Sequence, residues 1–190
     1  MYRISENKRI QRSALLIRDA LLSCLEEKSL SEITISDIQR ISGVSRSTFY
    51  RIFDNLIDVL SYHCELLLQA TDIYTNTFPP KNQTEFIINT LRFWQNNYLF
   101  LETIYANRLD HILRNILLNR LQKYCKNEHS ENFSMKHAEY MFAGTTGFLV
   151  GILMTWVKHG KQESAEELYE IFCQFHFSCP CIESPNLSVN

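Results

Sequence analysis

A run of short polar and basic side chains in the first third of the chain has the chemistry to bind a polyanion. Residues 45–48 read Ser-Arg-Ser-Thr, and Tyr50 and Arg51 follow shortly after them. Hydroxyl and backbone N–H groups at the start of a helix bind phosphate oxygens, and a guanidinium group binds guanine bidentately in the major groove. Phe49 and Phe53 lie four residues apart in the same run and predict a buried underside. We therefore expect a short helix with a polar, basic outer face.

A second helix is predicted immediately before this run. Thr34 and Asp37 have the spacing of a capping box. In this motif the Thr34 hydroxyl accepts from the Asp37 backbone N–H, and the Asp37 carboxylate accepts from the Thr34 backbone N–H. The apolar face of this helix is expected to consist of Ile35, Ile38 and Ile41. Gly43 can adopt the left-handed conformation that ends a helix, and Val44 is expected to fill the turn. The pattern predicts a helix-turn-helix over residues 33–53.

This stretch resembles the signature of the TetR/AcrR family of transcriptional regulators. That signature combines a Thr-initiated helix, a Gly-Val-Ser turn, a Thr-Phe/Leu-Tyr sequence and a closing Phe. The matching residues are Thr34, Gly43, Val44, Ser45, Thr48, Phe49, Tyr50 and Phe53. The resemblance covers about residues 8–68. It implies an all-α fold with an N-terminal three-helix helix-turn-helix DNA-binding domain and a C-terminal helical domain for ligand binding and dimerisation.

The resemblance also implies a function, namely a cytoplasmic homodimeric regulator that binds a palindromic DNA operator. We expect a repressor that a small effector relieves; a coactivator or interaction module of the same fold, acting through a partner protein, is the alternative. The residues expected at the DNA are Lys8, Arg9, Thr34, Ser45, Arg46, Ser47, Thr48, Tyr50 and Arg51. The family usually has a phosphate-contacting Lys after the closing Phe, whereas this chain has Asp54-Asn55-Leu56.

Composition limits the other possibilities. The chain has 190 residues, enough for a sizeable core, and its few breaks (5 Gly and 4 Pro) favour long helices. A net charge of -2 means that any contact with DNA must come from a local basic patch. The clearest such cluster is Arg3, Lys8, Arg9 and Arg12. The sequence has no Gly-rich phosphate loop and no nucleophile elbow, so we do not expect an enzyme.

The six cysteines and the histidines do not have the spacing of a disulfide framework or a metal site. No signal peptide is recognised, and most of the cysteines fall within predicted helices, so we expect reduced thiols. The possible ligands include His63 beside Cys64, and His111, and these three form no i, i+4 pair and no Cys-x-x-Cys motif. We therefore predict no metal and no cofactor, and keep a zinc sensor as the less favoured alternative.

Residues 140–157 are uncharged and contain Gly147 and Gly151 at G-x-x-x-G spacing. Eighteen residues is the lower limit for a helix that spans a membrane. The glycines and threonines in the run dilute its hydrophobicity, and small residues also let two helices of a soluble interface approach closely. We favour the interface helix.

The chain is predicted to divide into a DNA-binding domain (1–54), a helical regulatory and dimerisation domain (55–177) and a C-terminal tail (178–190). Helices are expected over 5–28, 55–75, 84–97, 98–106, 109–126, 134–159 and 164–177, with Asn55, Thr84, Ser134 and Ser164 at helix starts. Two prolines at 79–80 separate the second of these helices from the third.

The resemblance implies that the last two helices form a four-helix bundle with those of a partner subunit. Their apolar stripes exceed what one small core can use. The expected interface residues are Leu149, Leu153, Trp156, Leu168, Phe172 and Phe175. An effector pocket would combine aromatic walls with a few polar groups, and its expected aromatic residues are Phe93, Trp94, Tyr98, Tyr105 and Phe142. For each aromatic, a place in the core is the alternative.

Overall fold

The computed structural model describes residues 2–4, 6–127 and 135–174. Within those residues the secondary structure is helical throughout, with no strand, which confirms the predicted all-α class. The helices are α1 (Lys8–Leu25), α2 (Ile35–Ser42), α3 (Arg46–Ile52), α4 (Leu56–Thr77), α5 (Gln83–Asn96), α6 (Tyr98–Ala106), α7 (Asp110–Asn127), α8 (Met135–Lys158) and α9 (Ala165–Gln174). A 3-10 helix, Leu30–Glu32, connects α1 to α2. Ser134, Phe175 and the predicted tail lie outside the described residues.

The capping box predicted at α2 is formed. The Thr34 hydroxyl accepts from the Asp37 N–H (3.2 Å), and the Asp37 carboxylate accepts from the Thr34 N–H (3.0 Å). Gly43 ends the helix in the left-handed conformation, with φ 68°. Asn55 caps α4 by accepting from the Asp58 N–H (3.0 Å). These partners lie within four residues of each other, so the sequence alone was enough to predict them.

The start of α5 differs from the prediction. Asn82, rather than Thr84, is the N-cap and accepts from the Glu85 N–H at 2.9 Å. The Thr84 hydroxyl instead shares a hydrogen bond of 2.8 Å with the Tyr169 hydroxyl on α9. Asn and Thr are both good N-caps, and here the side chain closer to the prolines takes the position.

One residue of the apolar face predicted for α2 is exposed. Ile38 is buried and Ile35 is half-buried, but 44 % of Ile41 is exposed. A helix advances about 100° per residue, so a residue six positions after Ile35 lies about 120° away from it around the axis. Ile41 is therefore turned away from the buried face on which Ile38 lies.

The helix α4 connects the helix-turn-helix to the C-terminal helices. It packs against α1 and against α7. The buried side chains Val59, Leu60 and Cys64 belong to the same apolar core as Phe49 of α3 and residues of α6. The Arg120 guanidinium of α7 forms a salt bridge with Asp72 of α4. Helix α4 therefore contacts both the N-terminal helices and the C-terminal helices.

Helix α8 is the one segment of the described residues that is long and apolar enough to cross a membrane, judged by length and composition only. Its buried side, which includes Val150, Leu153 and Trp156, belongs to the protein core. Its outer side has Gly144, Gly151 and Thr155, which are exposed. The length and composition of this one helix are weak evidence for a membrane span.

Candidate DNA-binding surface and effector pocket

The recognition helix α3 is held by its apolar underside. Phe49, Ile52 and Phe53 are at most 1 % exposed, and α3 packs against both α1 and α2. Its outer face therefore consists of the residues between them. The structure brings this face together with the turn at Gly43 as the sequence predicted.

The hydroxyl groups at the start of α3 bond to one another. The Ser45 side chain accepts from the Thr48 N–H (3.3 Å) and lies 3.0 Å from the Thr48 hydroxyl and 3.1 Å from the Ser47 hydroxyl. Ser45 and Ser47 are exposed. The Arg46 guanidinium donates to the Ser36 hydroxyl in the first turn of α2. The corner between α2 and α3 thus presents a continuous set of polar groups.

The other predicted residues of α3 point outward as well. Tyr50 is 53 % exposed, and its ring meets the ring of Phe49 edge-on with 5.4 Å between centroids. This contact orients the phenol while leaving its hydroxyl in solvent. Arg51 is exposed. Thr34 is also exposed, but its hydroxyl is already used in the capping box of α2.

The basic residues of the first 60 positions fall into two groups. Those with a carboxylate partner form the pairs Arg3–Asp54 (2.8 Å), Arg18–Asp19 (2.6 Å), Lys28–Asp37 (3.4 Å) and Arg40–Asp37 (3.5 Å). Those with no ion pair to any described residue are Lys8, Arg9, Arg12, Arg46 and Arg51, all exposed. The uncompensated positive charge therefore lies in the first turns of α1 and on α3, although the chain as a whole is slightly acidic.

The N-terminal residues connect the start of α1 to the end of α3. The Arg3 N–H donates to the Ile52 carbonyl (2.8 Å). The Tyr2 ring lies 6.0 Å from that of Phe53 and 5.7 Å from that of Tyr62, and burial, followed by a hydrogen bond with Glu65, raises its pKa. Five residues span at most about 18 Å, so Lys8 lies no farther than that from the Arg3 backbone at the end of α3.

This role of Tyr2 and Arg3 was missed by the sequence analysis, where an aromatic in a polar segment was the only signal. Arg3 also pairs with Asp54, the acidic residue found where the family usually has Lys. The carboxylate at the start of α4 is thereby neutralised.

His63 lies between the helix-turn-helix and the C-terminal helices. It is 7 % exposed, its ring meets that of Phe100 on α6 edge-on (5.6 Å between centroids), and its Nδ1 has no hydrogen-bond partner. Burial, followed by the positive charge of Arg18, lowers its pKa to about 4. The side chain is therefore neutral at pH 7, and the described residues contain no cluster of three His, Cys, Asp or Glu side chains suited to a metal ion.

A cavity of about 290 Å³ opens between the C-terminal part of α4, the segment after it and α5. Its aromatic walls are Tyr74, Phe78, Phe86 and Phe93, and Arg92 is the one charged residue that lines it in the described part of the chain. Of the aromatics predicted for an effector pocket, only Phe93 lines this cavity. Trp94 is 1 % exposed in the core, Tyr98 lies under the Lys161 ammonium (4.5 Å to the ring centroid), Tyr105 is 40 % exposed and Phe142 is half-buried.

Three of the residues predicted for a dimer interface are buried within the protomer. Leu153, Trp156 and Leu168 are at most 6 % exposed, and the Trp156 indole donates to the Glu163 carbonyl (2.9 Å). Leu149 and Phe172 are half-buried, and Phe175 lies outside the described residues. A partner that packs on α8 and α9 would therefore contact described residues other than Leu153, Trp156 and Leu168.

This architecture, a short helix with a basic outer face held on a bundle of longer helices, is that of a helix-turn-helix protein. Residues 81–177 match a TetR-family model described as "Transcriptional regulator C-terminal region". Because that match covers half of the chain, the protein belongs to the TetR family of transcriptional regulators. The predicted family is thereby confirmed.

Solved structures with the same fold include Lin0861 from Listeria innocua (TM-score 0.73, 18 % identity, 92 % of this chain and 94 % of that one). A TetR transcriptional regulator from Streptococcus agalactiae 2603V matches with TM-score 0.55 and 18 % identity over 90 % of this chain and 96 % of that one. The dihydroxyacetone kinase operon activator DhaS matches with TM-score 0.54 and 19 % identity over 86 % and 93 %. No curated protein matches significantly by sequence.

Proposed function

We propose that this protein is a homodimeric regulator that binds palindromic DNA through α3 and the first turns of α1. The observation that supports this most directly is the distribution of cations without an acidic partner. They are confined, among the basic residues of the first 60 positions, to Lys8, Arg9, Arg12, Arg46 and Arg51. Cations on phosphate release condensed counterions, which favours binding. An ion-paired cation contributes less, because its charge is already compensated.

Within this surface the residues have different roles. When DNA binds, the Arg46 guanidinium gives up its hydrogen bond to the Ser36 hydroxyl. It donates instead to a guanine edge in the major groove, which offers it two acceptors. Tyr50, Arg51, Lys8 and Arg9 contact the phosphate backbone. Backbone contacts set the register, whereas the base contact gives specificity.

The outer face of α8 supports a dimer. A Cβ atom added to Gly144, Gly147 or Gly151 would meet nothing within 4 Å, so packing inside the protomer does not require these glycines. Each glycine inside a helix costs about 1 kcal/mol relative to alanine. Close approach of a partner helix explains why three occur at this spacing. Ile171 on α9 is also exposed, at 39 %, and the predicted Leu149 and Phe172 are half-buried.

We further propose repression that is relieved by an effector bound among the C-terminal helices. The effector would change the orientation of α4, and with it the separation of the two recognition helices, which consecutive major grooves require to be about 34–36 Å. Binding to both half-sites would then be lost.

An activator or coactivator that works through a partner protein is the second candidate. The structural relative DhaS is named an operon activator. The large apolar side chains Ile73, Tyr74 and Phe78 are more than half exposed at the end of α4, a surface that a partner protein could cover.

Binding of the purified protein to DNA from upstream of its own gene, followed by fluorescence anisotropy across a salt series, tests the proposal. A DNA-binding dimer should prefer a palindromic site, and its log affinity should fall steeply and linearly with log salt concentration. Binding that is absent at every salt concentration would overturn the DNA-binding proposal and favour the interaction module.

A further inference from the structure

The cavity beside α5 has the lining of a small-molecule site. Aromatic rings from two elements face it, Tyr74 and Phe78 from the end of α4 and Phe86 and Phe93 from α5. Flat aromatic side chains pack well against another ring, preferably edge-to-face or offset. At about 290 Å³ the cavity is near the small end of the range for ligand sites. A ligand of one or two rings fits it.

The electrostatics of the lining favour a negatively charged ligand. Of the described residues that line the cavity, Arg92 is the one charged residue, and none is a carboxylate. One arm of its guanidinium donates to the Asn89 side chain (3.1 Å), and the other forms a salt bridge with Glu166 on α9. Both members of that salt bridge are about half exposed. Exposed pairs of this kind contribute little to stability, so a ligand carboxylate can replace Glu166 at small cost.

Two uncharged polar groups of the lining also remain available to a ligand. The hydroxyls of Thr71 and Thr90 donate to backbone carbonyls one turn earlier in their own helices (3.0 and 2.9 Å). By contrast, Thr75 and Asn96 form no side-chain hydrogen bond within the described residues. A second polar substituent on the ring would find a hydroxyl or an amide there.

We propose that this cavity binds a small aromatic monocarboxylate, with its ring between the aromatic walls and its carboxylate on Arg92 in place of Glu166. The exchange removes one of the polar links between α5 and α9, leaving the hydrogen bond between Thr84 and Tyr169. Because α9 borders the face proposed for the dimer, the ligand would alter the dimer and hence the DNA affinity. This last step rests on the proposed function; binding in the cavity does not.

Calorimetry with the full chain tests the binding step, using 1-naphthoate and the uncharged 1-naphthamide as probes. The wild type should bind the carboxylate at least about tenfold more tightly than the amide, since a charged hydrogen bond exceeds a neutral one. Arg92→Gln should abolish that preference. Glu166→Gln should tighten naphthoate binding several-fold, because it removes the competing carboxylate. Arg114→Gln is the matched control, since Arg114 pairs with Asp110 on α7 and does not line the cavity.

Equal affinity for the two probes, no binding of either, or a preference that survives Arg92→Gln would overturn the assignment of the cavity. Circular dichroism of each variant verifies that it is folded. DNA affinity is measured separately, first without probe and then with naphthoate. If the protein does not bind DNA but binds naphthoate through Arg92, the proposed function is wrong and the ligand site is supported. If DNA binds but naphthoate leaves its affinity unchanged in the wild type, the regulatory step falls.

Discussion

The imidazole of His63 lies in the contact between α4 and α6, where burial lowers its pKa to about 4. The folded protein therefore binds this proton less readily than the unfolded chain, in which histidine has a pKa near 6.5. As the pH falls from about 6.5 towards 4, the unfolded state gains the proton first. The free energy of unfolding thus decreases with acidification over this range.

His63→Leu should remove this acid sensitivity. The titration of His63 should make the wild type about 2 kcal/mol less stable at pH 5 than at pH 7, and leucine cannot titrate. Urea unfolding at both pH values measures the difference. If the variant showed the same loss between pH 7 and pH 5 as the wild type, His63 would not be the group responsible.

Thr34→Ala should destabilise the protein by about 1 kcal/mol, the usual effect of losing a side-chain N-cap. The Thr34 N–H and then its hydroxyl hold the pKa of Asp37 below its usual range. The capping box is therefore intact at neutral pH and is lost as acidification protonates the carboxylate. Urea unfolding at pH 7 checks the magnitude. Ser23→Ala, at an exposed position of α1, is the control and should change stability little.

At the scale of the elements, the short helix α3 must have an apolar underside and a polar outer face. Its underside needs large apolar residues, because a helix of only seven residues has few side chains with which to pack against α1 and α2. Its outer face needs polar groups without compensating charge. The helix satisfies both because residues three and four apart share a face, and the paired cation Arg40 on the neighbouring α2 provides an internal comparison.

Arg51→Gln should reduce the slope of log affinity against log salt concentration by about 0.9, the value for one phosphate neutralised. Arg46→Gln should instead relax the sequence preference, since it removes a base contact worth about 1–3 kcal/mol of discrimination. Arg40→Gln should leave the slope nearly unchanged. Anisotropy titrations with operator and scrambled DNA compare the three variants. An equal effect of all three would mean that ion pairing does not select the DNA contacts.

At the scale of the whole molecule, the face of α8 that remains open decides how two copies can meet. Trp156 and Leu153 fill the protomer's own core, so substitutions there would test folding rather than assembly. The exposed glycines give a cleaner test. A Cβ atom added at Gly151 meets no atom within 4 Å in the protomer.

Gly151→Leu should therefore keep the protomer folded and weaken the dimer, because the added side chain separates the two α8 backbones. Sedimentation velocity should show a shift from dimer to monomer. Thermal unfolding at low protein concentration should give the variant a midpoint no lower than that of the wild type. Asn115→Leu, at an exposed position of α7, is the control for an added apolar side chain. A variant that sediments as the wild type does would remove α8 from the interface.

The order of the helices, the capping of α2 and α4 and the turn at Gly43 were predicted correctly from the sequence. Each depends on partners within a few residues, such as Thr34 and Asp37, and local hydrogen bonding acts in the same way wherever the segment lies. The family was predicted for a similar reason, since its motif is contiguous. The cap of α5 was wrong because Asn82 and Thr84 are both competent and neighbouring packing decides between them.

The amino-acid sequence by itself determined which segments are helical and which face of α3 is polar, because periodicity and capping are properties of the local chain. Only the tertiary structure decided which helix covers each apolar face, and therefore that Trp156 belongs to the protomer's core. It also decided which cations lie beside carboxylates and where the aromatic side chains leave a cavity. These features depend on contacts between residues such as Arg92 and Glu166, which are far apart in the chain and meet only when the helices pack.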